Sequence, residues 1–450
     1  MNDTYNAKNP TGGAHASSAD GLCTMTDKDH LLRQVLDREN LNLAWARVRA
    51  NKGAAGIDGM TLDEFPEFLR KAWPQINQQL LKGNYHPAAV RRVEIPKPNG
   101  GVRLLGVPRV LDRLIQQAIL QVLNPLLDPH FSEHSYGFRS QRSAHEAVRH
   151  IRNTIKEGYK HAVDIDLEKF FDTVEHAQIL KRLAKRFPGQ SLLVLIGRYL
   201  RAGVEVNGKW EATPCGMPQG GPLSPLLSNL VLDDFDKLLE ARGHRFARYA
   251  DDAVILVKSQ RAAQRVMKSL IHYLESRLKL KVNATKSQTT KANDLLYLGF
   301  SFRGGKILVS PKSLENFKYT LKSYTNRNWA VSMDHRLAKL QLYVKGWMNY
   351  YGVSEIYRIW PQLDQWLRRR VRMCYWVMWR RPKTRIKNLI KLGAQPVKAI
   401  MVGGCYSAGP WYSVSVLAVN HAMNNTWLAQ QGLINIADQW WKLKSIRGTA

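Results

Sequence analysis

The stretch HAVDIDLEKFFD, residues 161–172, decides the fold of this chain, because it places acids on a short apolar strand. Successive side chains of a strand point to opposite faces, so Asp164 and Asp166 share one face. The other face is apolar and holds Val163, Ile165 and Leu167. The alternation predicts a strand over 161–167 that carries carboxylates on one side and is buried on the other.

A second acidic stretch, FARYADDAVILV at residues 246–257, carries Asp251 and Asp252 between two apolar runs. The runs Phe246–Tyr249 and Val254–Val257 predict a hairpin with the acids at its tip. Like charges about 4 Å apart repel by up to ~4 kcal/mol at an effective dielectric of about 20, and a bound cation removes that cost. Mg²⁺ suits few carboxylates, since it keeps water and takes further ligands from phosphates, and two such ions can serve phosphoryl transfer. An isolated Asp-Asp pair, however, is more often a solvated turn.

Composition indicates a folded protein that meets a polyanion. The chain has 450 residues, of which 44% are hydrophobic, so at about 150 residues per domain we expect roughly three folded units. Lys plus Arg number 67 and Asp plus Glu 36, and the net charge of +31 predicts a nucleic-acid partner. No apolar run is long enough to span a membrane and no signal core begins the chain, so we expect a cytoplasmic protein with no membrane partner. The four scattered cysteines favour reduced thiols and no structural zinc.

Sequence patterning predicts an α+β fold in four segments. Residues 1–26 are rich in small and polar types and predict a flexible leader. Residues 27–86 predict a helical N-terminal extension, and residues 87–310 a mixture of strands and helices. Residues 311–450 predict a separate helical region that faces RNA, because ten of the 13 tryptophans lie beyond residue 320.

A first hairpin is predicted where Val90–Pro96 and Val102–Val107 flank the turn residues Pro98-Asn-Gly-Gly101. It carries Lys97 and Arg103. A pair of basic residues on a hairpin is more often solvated than bound, so that alternative stays open on these two residues alone.

The basic aromatic segment from Trp366 to Lys391 contains ten Lys or Arg and no acid. At 100° per residue, the wheel predicts a buried stripe of Leu363, Leu367, Val371, Cys374 and Met378. It predicts an exposed face of Arg368, Arg369, Arg372, Trp376, Trp379 and Arg380. Arginines contact phosphates and exposed rings stack on bases, so the face predicts RNA binding. A solvated charged face is the alternative, which does not explain the tryptophans.

An ordered set of motifs resembles group II intron-encoded reverse transcriptase/maturases from about Asp27 to about Trp441. The motifs are GAAGIDG (53–59), IPKPNG (95–100) with Arg103, GVP (106–108), SYGFR (135–139), Asp166 with Phe171, GMPQGGPLSPL (216–226), YADD (249–252) and KGWMNYY (345–351). Two departures from the family pattern are mild: Leu104 stands where Pro is common, and Arg109 where a small polar residue is usual. Neither concerns the acids.

The resemblance implies a right-hand-like polymerase, with fingers and a palm built on an antiparallel sheet, followed by an α-helical thumb/maturase region called domain X. It implies that Asp166 and Asp251 bind two Mg²⁺ ions, helped by the Leu167 carbonyl, and that Asp252 supports the site. It further implies that Phe171 excludes a ribose 2′-OH. The remaining nucleotide-binding residues would be Lys97, Arg103, Gln219 and Lys286, the last as proton donor to pyrophosphate.

The same resemblance implies an RNA-directed DNA polymerase that assists intron splicing and copies the intron during retrohoming. The partners would be group II intron RNA, an RNA template with a DNA primer, dNTPs and target DNA, with association to the bacterial nucleoid on that DNA. Because the chain ends soon after domain X and has no Cys/His set, we expect the endonuclease-lacking type.

Two other functions remain open. The chain could be an RNA-binding maturase with an idle polymerase, although the intact acids argue against idleness. It could also be a retron, diversity-generating or abortive-infection reverse transcriptase, which the N-terminal extension and residues 346–441 fit poorly. The intron, its insertion target, the primer source and the oligomeric state are not readable from the sequence.

Overall fold

The computed structural model describes residues 28–96, 102–404 and 409–447, so the predicted leader lies outside it. The helices, in chain order, are α1 (His30–Leu36), α2 (Arg38–Ala50), α3 (Phe65–Leu81), α4 (Val110–Leu127), α5 (Ala144–Lys156), α6 (Phe170–Thr173), α7 (His176–Arg186), α8 (Leu192–Leu200), α9 (Ser224–Ala241), α10 (Gln260–Ser276), α11 (Pro311–Tyr324), α12 (Met333–Tyr351), α13 (Ile359–Met378), α14 (Pro382–Lys391), α15 (Pro396–Gly403), α16 (Pro410–Ser413), α17 (Leu417–Ala422), α18 (Asn425–Gln430) and α19 (Ile436–Arg447). The strands are β1 (Val90–Pro96), β2 (Val102–Val107), β3 (His161–Ile165), β4 (Val204–Val206), β5 (Lys209–Glu211), β6 (Arg245–Tyr249), β7 (Asp252–Val257), β8 (Gln288–Lys291), β9 (Leu296–Tyr297), β10 (Phe300–Arg303) and β11 (Lys306–Val309).

The chain divides into two compact units. The first unit contains the residues up to Leu126 together with Val174–Ser224, and the second contains Leu127–Thr173 and the residues from Pro225 onward. The domain limits expected at 87 and 310 stay predictions.

The first unit contains a four-stranded sheet in the order β2-β1-β4-β5. The hairpin β1–β2 has the predicted bounds, with Ile95 opposite Arg103, and β4 joins β1 in parallel. Next to the sheet, the carboxylate of buried Asp112 accepts hydrogen bonds from Tyr85 Oη (2.6 Å) and from Arg109 Nε (3.0 Å). Arg109 therefore has a structural role, because it neutralises an acid that the fold removes from water.

The second unit is built on an antiparallel sheet in the order β6-β7-β3-β8, which confirms the predicted α+β architecture. Helix α5 packs Ala147, Val148 and Ile151 against Ala162, Val254 and Leu256 of the sheet. On the opposite face of β3, Val163 and Ile165 are also buried, and α10 packs against β3, β7 and β8. The sheet is therefore covered over most of its length, and its acids lie at one end.

The C-terminal helices of the second unit enclose a core of their own. Side chains of α11, α12, α13 and α19 pack around Phe317, Leu340, Met348 and Trp360. The buried Asp364 of α13 accepts hydrogen bonds from Ile436 N (2.7 Å) and Ala437 N (2.8 Å), which caps the start of α19. None of the helices that the structure describes is long and apolar enough to cross a membrane.

The exposed face expected on α13 is wrong for two of its residues. Trp376 is 1% exposed and Arg372 is 8% exposed, and Met378, expected in the buried stripe, is 50% exposed. The reason is that α13 is sandwiched between two cores. Leu363, Leu367, Val371 and Cys374 face the core described above, as predicted, while Met373 and Trp376 face a second core that α14, α15 and α17 complete.

Trp376→Ala tests this second core. Removing a fully buried tryptophan leaves a cavity, so we expect the free energy of unfolding to fall by about 3–5 kcal/mol. Urea unfolding followed by circular dichroism measures the change. Trp441, which is 56% exposed, provides the control, and Trp441→Ala should cost less than about 1 kcal/mol. Equal losses in the two variants would contradict the buried position of Trp376.

Candidate active site

The acids of β3 and of the β6–β7 hairpin meet through strand pairing. Asp164 lies opposite Val254 and Ile165 opposite Ala253. Tyr249 pairs with Asp252 to close the hairpin. Continuing the β3–β7 register by one residue brings Asp166 toward Asp252, so the two stretches that sequence separates by some eighty positions form one acidic cluster.

The turn of this hairpin is conformationally constrained. Ala250 has φ +58, in the left-handed region that a non-glycine residue enters at a cost of about 1–3 kcal/mol. The SYGFR loop packs directly against it, because a Cβ on Gly137 would lie 2.3 Å from Ala250 N. Gly137 is thus required for close backbone packing beside the acids, a role that its motif did not reveal.

Asp166 is held by its main chain. Its N–H donates to Ser287 Oγ (3.0 Å), and its carbonyl accepts from Asn283 N (2.9 Å). The loop that supplies these partners is itself folded around the Asn283 side chain, which accepts from Thr285 N and Lys286 N. No motif pointed to Ser287, and its position just after Lys286 was the only available signal.

Lys286 lies beside the acidic cluster. Its Nζ is 3.3 Å from Asp166 Oδ2, and its side chain is 66% exposed. The lysine therefore already provides one positive charge against the carboxylates, while its exposed ammonium remains accessible to a ligand.

Two carboxylates of the cluster, Asp164 and Asp252, have a raised pKa. Burial raises the pKa of Asp164 to about 7, with the charges of Asp252 and Asp166 adding to the shift. Desolvation by the surrounding protein raises the pKa of Asp252 to about 6, and the charges of Asp251 and Asp166 raise it further. The Asp252 side chain nevertheless stays open to solvent. The site therefore has more negative charge than Lys286 balances, and a further cation would lower its energy.

The donor set fits a divalent ion that takes part of its ligands from elsewhere. Hard carboxylate oxygens suit Mg²⁺, and the surplus charge favours it. Within the part of the chain that the structure describes, however, no three His, Cys, Asp or Glu side chains are placed to hold a metal by themselves. Water, backbone carbonyls or substrate phosphates would have to complete the coordination.

Phe171 follows the acidic strand on the short helix α6. It is half-buried, whereas its neighbour Phe170 is 2% exposed and belongs to the core. The two rings meet edge to face with centroids 5.4 Å apart. Phe170 therefore takes the core position, and the ring of Phe171 stays partly exposed.

Of the remaining predicted nucleotide-binding residues, Arg103 and Gln219 belong to the first unit. Arg103 is exposed on β2, and Lys97 lies outside the described residues. Gln219 is half-buried in a loop that packs tightly on β2, where its carbonyl accepts from Gly106 N (2.6 Å). Gly220, at φ +116, permits that approach, since a Cβ there would lie 2.5 Å from the Gly106 carbonyl oxygen.

The arginines of α13 contact backbone carbonyls of the second unit. Arg372 Nε donates to Met423 O (2.8 Å), and burial followed by the charge of Arg368 lowers the pKa of Arg372 to about 10. Arg369 Nη2 donates to Trp411 O (2.8 Å), and its guanidinium lies 4.0 Å from the centroid of that ring. Arg368 and Trp379 are half-buried, and Arg380 is exposed.

Exposed positive charge is concentrated instead on α14. Lys383, Lys387 and Lys391 are exposed and recur every four residues, which places them along one side of that helix. Arg380 and Arg381, just before the helix, are exposed as well. We define Lys383, Lys387 and Lys391 as the basic stripe.

Comparison with known families matches two segments. Residues 95–302 match the family described as "Reverse transcriptase (RNA-dependent DNA polymerase)", and residues 314–393 match "Group II intron, maturase-specific domain". The first match contains every acid of the cluster, and the second contains α13 and the basic stripe.

Individual proteins show the same similarity. The chain is 30% identical to Protein YkfC of Escherichia coli, over 69% of this chain and 92% of that protein. It is 32% identical to the group II intron-encoded protein LtrA of Lactococcus lactis, over 58% of this chain and 46% of that protein, so it spans about half the length of LtrA. Among solved structures, a partial Cas6-RT-Cas1–Cas2 complex is 29% identical, covering 54% of this chain and 42% of that one, with a TM-score of 0.35.

Gly137→Ala tests the close packing beneath the acidic hairpin. The added methyl must displace the Ala250 backbone, so we expect the free energy of unfolding to fall by about 1–3 kcal/mol. Gly346 in α12, where a Cβ would meet nothing within 4 Å, is the control. Gly346→Ala should be neutral or stabilise the protein by up to about 1 kcal/mol. Urea unfolding checks both, and a Gly137→Ala protein as stable as wild type would contradict the contact.

Proposed function

Because the chain belongs to the family of group II intron-encoded reverse transcriptase/maturases, we propose that its acidic cluster extends a DNA primer on an RNA template by nucleotidyl transfer. The family assignment makes the chain an RNA-directed DNA polymerase with a maturase function. The observation that carries the mechanism is the meeting of Asp164, Asp166 and Asp252 beside Lys286.

Reverse transcriptases use divalent metal ions, and we propose two Mg²⁺ ions held by Asp166 and Asp251 with help from the Leu167 carbonyl. The ions would supply positive charge to the phosphates and activate the primer hydroxyl. Asp252 and Asp164 add negative charge behind these ligands. Burial first, and the neighbouring negative charges second, raise the pKa of Asp164 and of Asp252, and a bound cation would oppose both effects.

Lys286 is proposed to act on the departing pyrophosphate. Its ammonium is tethered near Asp166 at 3.3 Å and remains largely exposed. From there it can donate a hydrogen bond to a phosphate oxygen and then its proton as charge develops on the leaving group.

Four further residues are proposed to contact the incoming nucleotide. Lys97 and Arg103 would contact the triphosphate as a point charge and a fork, and Gln219 would contact nucleotide and template. Phe171 would fill the space of a ribose 2′-OH and so favour dNTPs. Its half-buried ring, beside a buried Phe170, supports that role.

The maturase segment is proposed to bind group II intron RNA through the basic stripe and through Arg368 and Arg380. Residues 365–437 contain eleven Lys or Arg and no acid, so the potential around the stripe is positive along a long stretch of chain. We further propose that the ribonucleoprotein engages target DNA and returns the intron to it, with nucleoid association following from that contact.

Asp251→Ala is expected to reduce primer extension by a factor of at least about 10³, because it removes an oxygen that must compensate the metal charge. Extension of a DNA primer on an RNA template, measured across a Mg²⁺ series, checks this. Asp234, an exposed acid of α9, gives a matched control, and Asp234→Ala should extend normally. Normal extension by Asp251→Ala would exclude the assignment. A wild-type protein that assists splicing without extending primers would instead select the idle-polymerase alternative.

Reversing the basic stripe, with Lys383→Glu, Lys387→Glu and Lys391→Glu together, should weaken intron RNA binding. Each lost phosphate contact should flatten the plot of log affinity against log salt by about one unit. The matched control reverses three exposed cations of α10, Arg261, Arg265 and Lys268. Both triple variants change the net charge equally, so equal losses would show that the stripe has no specific role. Extension of a pre-annealed generic primer–template should persist in both.

A further inference from the structure

Behind the acidic hairpin lies an arginine that is almost fully enclosed. Arg248, on β6, is 1% exposed. Its guanidinium has five N–H donors, and every nitrogen of the group has a partner. Nε donates to both oxygens of Asp236 (2.8 and 3.0 Å), and Nη2 donates to Asp236 and to Ser135 Oγ. Nη1 donates to Asn229 Oδ1 (3.0 Å) and to the Ala250 carbonyl (2.8 Å).

The Ala250 carbonyl is the contact with a functional consequence. Ala250 is the left-handed residue of the turn, and Asp251 follows it directly. A hydrogen bond to this carbonyl fixes the orientation of the peptide plane that leads into Asp251. The side chain of Arg248 thus stabilises the turn that follows its own strand, through the Ala250 carbonyl.

The other hydrogen bonds of Arg248 connect it to the neighbouring segments of the second unit. Main-chain hydrogen bonds join Arg248 N to His134 O (2.9 Å) and Tyr136 N to Arg248 O (2.8 Å). Asn229, besides accepting from Arg248, donates to Gly137 O (2.9 Å). One guanidinium therefore connects helix α9, through Asp236 and Asn229, with the SYGFR loop and with the acidic turn.

We propose that Arg248 is a positioning residue that sets the height and tilt of Asp251 in the active site, by holding the Ala250 carbonyl at a distance fixed by Asp236, Asn229 and Ser135. The inference rests on the proposed polymerase function. Ion-pairing with Asp236 alone would need only a buried positive charge. Positioning of the turn needs the planar guanidinium, because only that group can donate to all of these partners at once.

Arg248→Lys separates the two roles. A lysine keeps a positive charge near Asp236, but its ammonium is a single point that cannot reach Ala250, Asn229 and Ser135 together. We expect kcat for primer extension to fall by about tenfold to a hundredfold, since a displacement on the order of 1 Å at a reacting group has that effect. The KM for dNTP and the Kd for primer–template should stay within about threefold, because the variant leaves their binding surfaces intact.

The control for stability is Arg336→Lys. Arg336 is 2% exposed and donates to the carbonyl of Tyr324, the last residue of α11, and to those of Asn326 and Trp329 in the following loop. Both variants should lower the Tm by several degrees, yet only Arg248→Lys should lower kcat at saturating substrate. If the Arg248 variant keeps a wild-type kcat while its Tm falls like that of the control, Arg248 is only a fold-stabilising residue.

A second variant carries the test if Arg248→Lys does not fold. Asn229→Ala removes one partner of Nη1 and the support of Gly137, and it leaves the charge pair with Asp236 in place. We expect kcat to fall at least about threefold with KM unchanged, and an unchanged kcat overturns the proposal. A wild-type protein without extension activity would overturn the polymerase function and this inference together, whereas active wild type beside equally active variants overturns the inference alone.

Discussion

The pairing of β3 with β7 is the constraint on which the second unit depends, because it brings the acids of distant stretches to one end of a buried sheet. The register sets Asp164 opposite Val254, so the face that α5 covers at Ala162 becomes acidic within two residues. Burial of the apolar part fixes the register, since a slip of one residue would turn the acids into the core. The hydrophobic packing therefore determines where the negative charge accumulates.

Sequence periodicity predicted the strands correctly where a strand has one buried face and a turn signal at its end. The β1–β2 hairpin and the β6–β7 hairpin form where the apolar runs and turn residues indicated. Asp166 and Lys286, which both belong to predicted site motifs, lie 3.3 Å apart. Strand alternation and turn chemistry are local properties, so a single sequence carries them. The contributions of Ser287 and Gly137 are not local: each acts through a backbone contact with a segment more than a hundred residues away.

Helix α13 shows the opposite case. A wheel assumes one buried side, but α13 separates two cores, and the second depends on helices that begin after residue 381. Trp376 was consequently predicted on the exposed face of α13, whereas its side chain is buried. The exposure of Arg372 was predicted wrongly for a related reason. An arginine can be buried without an acidic partner when carbonyl oxygens accept its N–H groups. Arg372 and Arg336 both do so.

This use of arginine changes how the excess positive charge should be interpreted. Carbonyls at helix ends and in turns have a free lone pair, and a guanidinium that binds them keeps its full charge. Arg369, Arg370 and Arg385 each donate to such a carbonyl in the C-terminal part of the second unit. With no acid between residues 365 and 437, these half-buried arginines add to the positive potential of the C-terminal helices. The lysines of α14 lie in that potential with their ammonium groups exposed. In the proposed complex with intron RNA, the half-buried arginines would attract the polyanion, and the exposed lysines would contact it.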